Sequence, residues 1–313
     1  MTAFFQNVVN ALQWGSFYAL IALGYSMVYG VLLLFNFAHG DIFMVGAYIG
    51  FFVATAFLAA FGASAGIIAL PAWLILVLVI LATMFLTSFL GMAVERIGYR
   101  PLRNAPRASA AITGLMIGII LETAVLAIFG AQRMKFPDLL PNLGAMDQPI
   151  VGGVIISWQK ILIVGIAIVL MLLLQWFVSN TKWGMAMRAM AYDFAAVPLM
   201  GVPLNRIASL TFALGSALAG AAAVLYSMAY PVLDPYMGIT VGWKAFVAAI
   251  LGGRGSIKGA AIAGFLLGFI EIFSATIFPS TYRDLIAYSI ILIILVFRPH
   301  GLFGEEHTSK LRL

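Results

Sequence analysis

Residues 31–50, VLLLFNFAHGDIFMVGAYIG, set Asn36, His39 and Asp41 inside a run otherwise apolar enough to lie in lipid. These side chains can hydrogen-bond, carry charge or relay protons, and at membrane depth each is expensive unless it lines something polar. The apolar stretch before them, 14–34, would span about 30 Å as a helix at 1.5 Å per residue, and a second begins at Ile42. The gap is too short for an ordinary external loop. With Gly40, Gly46 and Gly50 beside it, the break reads as close helix packing or as a discontinuous helix around a solute path, where irregular backbone is tolerated in a bilayer.

A second glycine-broken stretch, LGGRGSIKGAAIAG at 251–264, repeats the theme with Arg254, Ser256 and Lys258. HGDIFMVGAYIG from His39 can be laid beside RGSIKGAAIAG from Arg254, at low identity. Two such breaks, one in each half, are what paired structural repeats show at a substrate site, where half-helix ends offer partial charges to a polar solute. The competing reading is that the glycines only permit close packing. The stretch does not meet GxxxxGK[ST], so this chain is not expected to bind ATP. Two carboxylates, Glu122 and Glu271, lie more than halfway along apolar segments; either they meet a solute ammonium or polar lining groups, or they are neutral packing residues. With no cysteine and only three scattered histidines, no metal or redox chemistry is expected.

The elements that must position these groups follow from composition. At 64% hydrophobic and 9% charged residues the chain has too few charges to coat a soluble globule, and reads as an all-α, polytopic membrane bundle. Nine apolar segments run near 14–34, 42–62, 72–94, 110–130, 158–178, 207–229, 242–252, 258–278 and 284–297; the seventh is too short to span alone. A single membrane domain, 1–313, is expected. The N-terminus lacks a basic region and a cleavage site, so the first helix is expected to stay in the mature protein.

Arg96, Arg100, Arg103 and Arg107, then Lys182, Arg188 and Arg206, then Arg298, Lys310 and Arg312 mark one side as cytoplasmic. The N-terminus is then outside and the C-terminus inside, provided the short segment crosses; a re-entrant segment would break that parity. The net charge of +6 is ascribed to this topology and not to nucleic acid. Residues 131–157, with Pro137, Pro141 and Pro149 and a GGVIIS end, are expected to form an outer cap with a hairpin, or else a solvated connector. On the opposite side, 180–206 places Met185, Ala189, Tyr192 and Ala196 at helical spacing beside Arg188 and Asp193, which predicts a short amphipathic helix at the inner surface.

NFAHGDIFMVGAY at 36–48, TKWGMAMRAMAYDFAAVPLMGV at 181–202, ILGGRGSIKGAAIAG at 250–264 and RPHGLFG at 298–304 together resemble the LivH-type permease subunits of branched-chain amino acid ABC importers. The resemblance covers nearly the whole chain. It implies a bacterial inner-membrane permease working with a second, LivM-like permease, two LivG-like and LivF-like ATPases that use ATP and Mg, and an extracytoplasmic solute-binding protein. DFAAVPLMG resembles, with altered spacing and Asp193 for glutamate, the EAA loop through which importer permeases dock on their ATPases, which assigns Arg188, Asp193, Ala195, Ala196 and Gly201 to coupling. Urea and short-chain amide importers use similar permeases; the short amino-terminal region favours amino acids. A proton-coupled carrier using His39, Asp41, Glu122 and Glu271 as a relay is the reading from a different class.

Overall fold

The structure, a computed structural model, describes residues 2–62, 70–103, 105–141, 150–151, 153–194, 196–253 and 255–304. Ala195, Arg254, Lys310 and Arg312 lie outside the described residues. The chain is almost wholly helical: α1 (Thr2–Leu32), α2 (His39–Phe61), α3 (Ala72–Val94), α4 (Arg107–Phe129), α5 (Trp158–Asn180), α6 (Lys182–Tyr192), α7 (Leu204–Ala229), α8 (Met237–Gly252), α9 (Ile257–Ile277) and α10 (Arg283–Phe297). Among the described residues, eight helical stretches are long and apolar enough to cross a membrane, and α8, with 16 residues, is a shorter apolar helix.

Three helices start or end away from the predicted bounds, and α8 begins at Met237, five residues before the expected 242. α1 begins at Thr2, twelve residues before the apolar stretch, because its polar first turns are held by other elements. Gln6 exchanges hydrogen bonds with the backbone of Ile155, Asn7 donates to Thr276, and Asn10 accepts from the Lys160 ammonium at 2.6 Å. At 1.5 Å per residue α1 is about 46 Å long. α3 continues past Val94 through a π turn at Glu95–Tyr99 and a 3-10 turn at Arg100–Leu102.

These contacts define two ends of the bundle. The starts of α1, α5 and α10 and the end of α9 share the first. The second carries the end of α1, the α8–α9 junction, α6 and the start of α7, with Gly30 against Gly255 and Ser209 bonded to Glu95. Thr2 and Gly304 therefore lie at opposite ends. α7 finishes at the first end, where Gln159 donates to the Met228 carbonyl, and α9 starts at the second, so the chain between them crosses the bundle with α8 as the helical part of its passage.

Two helices form the centre. α1 packs on α5, α7, α8 and α9, and α7 packs on α1, α2 and α3; both are mostly buried, with small residues such as Ala219, Gly220, Ala221, Ala222 and Ala223 letting backbones approach. α4, α5 and α10 turn rows of Ile and Leu outward, Ile119, Ile120, Leu172 and Leu292 among them, as helices facing lipid or another subunit do. At the first end β2 (Ile150–Val151) and β3 (Val154–Ile155) form an antiparallel hairpin, and β1 (Met134–Lys135) pairs antiparallel with β4 (Val232–Leu233), tying the loop after α4 to the loop after α7.

Candidate functional site

The chain leaves α1 through Leu33 in a left-handed conformation (φ 56°), with Tyr29 stacked on Phe35 at 4.4 Å. The Asn36 carbonyl accepts from the His39 N–H, which turns the chain into α2, and the buried Asn36 side chain accepts from the Tyr99 hydroxyl at 3.1 Å. His39 is buried edge-on against Tyr25 at 4.7 Å, beside Gly24; its ring faces the Ile21 carbonyl without a hydrogen bond of good geometry. The next residue explains its glycine. A Cβ on Gly40 would stand 2.6 Å from the Gly238 carbonyl oxygen and 3.0 Å from Gly242 Cα, so α2 and α8 cross backbone on backbone here.

Asp41 sits in the first turn of α2, where the helix N-terminus favours a carboxylate. It is 9% exposed, forms no ion pair among the described residues, and its Oδ1 has no hydrogen-bond partner. It borders a small pocket of about 20 Å³ walled by Tyr25, Phe37, Trp243 and Phe246. The Tyr25 hydroxyl accepts the Gly40 N–H at 3.1 Å, and Phe246 lies edge-on to Tyr25 and Phe35. Half-buried Glu122, one helical turn beyond Gly118 on α4, is close enough to act on the Asp41 charge. Asn36, His39, Asp41 and Glu122 thus gather at the first break.

The second break is built differently. Gly253 (φ 106°) and Gly255 (φ 85°) turn the chain between α8 and α9, and Ser256 caps α9 by accepting the Gly259 N–H at 3.1 Å. Lys258 is exposed. RPHGLFG folds back as a strap: Leu302 and Phe303 donate their N–H groups to the Leu251 and Gly252 carbonyls, which would otherwise be open at the end of α8. Gly301 is held against Gly253 and is itself left-handed (φ 80°).

Glu271 is separate from both breaks and saturated with internal partners. It accepts from Tyr18 at 2.5 Å and Lys244 at 2.6 Å, and Arg283 approaches to 3.0 Å; Lys244 also reaches Asp284 at 2.7 Å. Two positive and two negative groups so staple α8, α9 and α10 to α1. A second network, unnoticed in the sequence, centres on Glu95, buried between Arg100 and Arg103 and bonded to Ser209. The cue was present: one acidic residue among the arginines of that loop.

α6 forms at the second end with Thr181 as its cap, accepting from the Gly184 N–H at 3.0 Å. The helix stops at Tyr192 because Asp193 takes an extended conformation and its carboxylate accepts the Ala196 N–H, so Ala196 is off the predicted helical stripe. Gly184, Met187 and Met190 face inward, while Met185, Ala189 and Tyr192 face out. Arg188 donates to the Val178 carbonyl and fixes α6 to the end of α5. Past it, a 3-10 turn at Val197–Met200, closed by left-handed Gly201, leaves Leu199 and Met200 more than four-fifths exposed.

Buried polar groups at a helix break, a pocket in a helical bundle and an exposed apolar ledge at one end are the features of a polytopic membrane permease. Residues 7–295 match the family of permease components of branched-chain amino acid transport systems, and the chain belongs to that family. It is 40% identical to the high-affinity branched-chain amino acid transport permease BraD of Pseudomonas aeruginosa, over 98% of both chains. It is 34% identical to LivH of Escherichia coli K12, over 98% of this chain and 97% of that one. It is 26% identical, over 60% of its length and 58% of the relative's, to the autoinducer 2 import permease LsrC of Klebsiella pneumoniae.

Proposed function

We propose that this permease passes branched-chain amino acids inward as part of an ATP-driven importer, with a LivM-like permease, LivG-like and LivF-like ATPases and an extracytoplasmic binding protein as its partners. Full-length identity to BraD and LivH carries the reading, and the urea or amide alternative draws no support from these relatives. ATP and Mg belong to the partners. The second end, rich in Arg and Lys, faces the cytoplasm, so the N-terminus is outside and the C-terminus inside. Asn36, His39 and Asp41, with Glu122, border the solute path; Ser256 caps and Lys258 flanks the α8–α9 junction on that path. Residues 182–201 dock the ATPases. Arg188, Asp193 and Gly201 shape that segment, and Trp183, Met185, Tyr192, Leu199 and Met200 offer the contact surface.

The test is uptake of labelled leucine into proteoliposomes holding the complete complex. Uptake is expected to need internal ATP and external binding protein together, and to survive a proton uncoupler. Uptake that ignores ATP and collapses with the uncoupler would establish the carrier reading instead.

A further inference from the structure

The pocket at the first break has the chemistry of a cation site. One of its polar groups is a carboxylate with an unpartnered oxygen, nine-tenths buried, and a second carboxylate, Glu122, acts on the first. No Lys or Arg pairs with Asp41 among the described residues. The cation nearest by sequence on the facing helix, Lys244, is held away by Glu271 and Asp284. Low-dielectric surroundings make such negative charge costly unless something positive meets it.

The backbone seats the carboxylate. A Cβ on Gly238 would come within 2.7 Å of Asp41 Oδ1, and one on Gly118 would overlap Oδ2, so both glycines leave their side-chain space to Asp41 and hold its carboxylate at the edge of a pocket with room for a small charged group. The remaining wall is aromatic: Tyr25, Phe37, Trp243 and Phe246. A carboxylate at one side and ring faces around the rest suit an organic ammonium, which donates charge-assisted hydrogen bonds to the former and is held by cation–π attraction to the latter. A hydrated metal ion would want more oxygen ligands, and no group of three or more metal-ligating side chains exists among the described residues.

We propose that Asp41 and this aromatic wall form a binding site for a primary ammonium group. The inference rests on the importer reading and adds that the permease itself holds the amino end of its cargo. Two sources share the chemistry: the α-ammonium of a free amino acid and the ethanolamine headgroup of a lipid.

The experiment uses the complete complex in nanodiscs of phosphatidylcholine and phosphatidylglycerol, with or without phosphatidylethanolamine. Binding of labelled leucine is measured in competition with 3-methylbutylamine, which keeps the ammonium, and 4-methylpentanoate, which keeps only the carboxylate. Displacement by the amine and not the acid, with affinity weakened about tenfold or more by Asp41→Asn and less by Trp243→Leu, supports an amino acid site. Retention of phosphatidylethanolamine, read by native mass spectrometry and lost in Asp41→Asn while leucine binding is unchanged, supports the same site filled by lipid. If Asp41→Asn and Trp243→Leu change neither leucine competition nor lipid retention in folded complexes, the proposal is overturned and Asp41 serves only the start of α2. Thermal unfolding of the Asp41→Asn and Trp243→Leu complexes, expected to stay near wild type, separates a lost site from a failed fold. Should ATP-driven leucine uptake itself be missing from the wild-type complex, the importer reading fails; uptake present with Asp41 indifferent fails this inference alone.

Discussion

Glu271 shows how differently one carboxylate reads with and without its neighbours. A glutamate deep in an apolar segment invites a solute partner, yet Tyr18, Lys244 and Arg283 already occupy both oxygens. Removing one member of a buried ion network strands the others. Glu271→Gln is therefore expected to cost about 3 kcal/mol of stability, toward the low end because Asp284 remains and is half exposed. Thermal unfolding of the permease in detergent should show a clear drop in Tm, while KM for uptake per assembled complex stays near wild type. A raised KM at unchanged Tm would return Glu271 to the solute path. Asp41 is the opposite case, since its sequence context suggested a polar path and its surroundings leave an oxygen without a partner.

At the scale of elements, α6 and the turn after it were legible as an amphipathic piece, but which residues face out was not. Spacing put Met185, Ala189, Tyr192 and Ala196 on one stripe; Asp193 ends the helix early, and the exposed apolar ledge extends to Leu199 and Met200. Those two residues touch little of their own chain, so Leu199→Asp combined with Met200→Asp should leave folding within about 0.5 kcal/mol of wild type. If the ledge docks an ATPase, the pair should uncouple hydrolysis from uptake or release the ATPase on size-exclusion chromatography. Normal solute-stimulated hydrolysis with normal uptake would count against docking there. The α8–α9 junction gives a companion prediction. Ser256→Ala removes a helix cap and should cost about 1 kcal/mol. Gly301→Val combines a left-handed backbone with a Cβ 2.6 Å from Gly253 Cα, and should lower Tm more than Ser256→Ala does.

For the whole molecule, the charge pattern makes a claim that geometry sharpens. Exposed Lys258 and Arg133 lie toward opposite ends of the bundle, Arg133 beside Asp234 in the loops joined by β1 and β4. The natural chain has no cysteine, so single cysteines report cleanly. Lys258→Cys should react with a membrane-impermeant maleimide only from the cytoplasmic side, and Arg133→Cys only from outside. Reaction of both from one side would contradict the nine-pass topology. A cysteine at Asn36 or Asp41 should change its reactivity when ATP is supplied to the complex; constant protection in every state would mark the break as packing alone.

Composition and apolar run length decided the fold class and most helix boundaries, though not whether the short segment crosses, because in lipid each segment must satisfy its own backbone and so declares itself locally. NFAHGD, GGRGS and RPHGLFG were visible as interruptions of that pattern, and together with the resemblance they carried the family. What they do was not visible. RPHGLFG starts 46 residues after Gly252 in the chain, yet closes the α8 end by two hydrogen bonds, and Trp243 and Phe246 meet Asp41 from some two hundred residues away. Partnership of that kind depends on which helix faces cross. Lys244 and Trp243 are neighbours in sequence but serve different sites, one locked to Glu271 and the other walling the Asp41 pocket, since adjacent residues on a helix point about 100° apart and only the packing of α1, α2, α9 and α10 around α8 gives each direction its meaning.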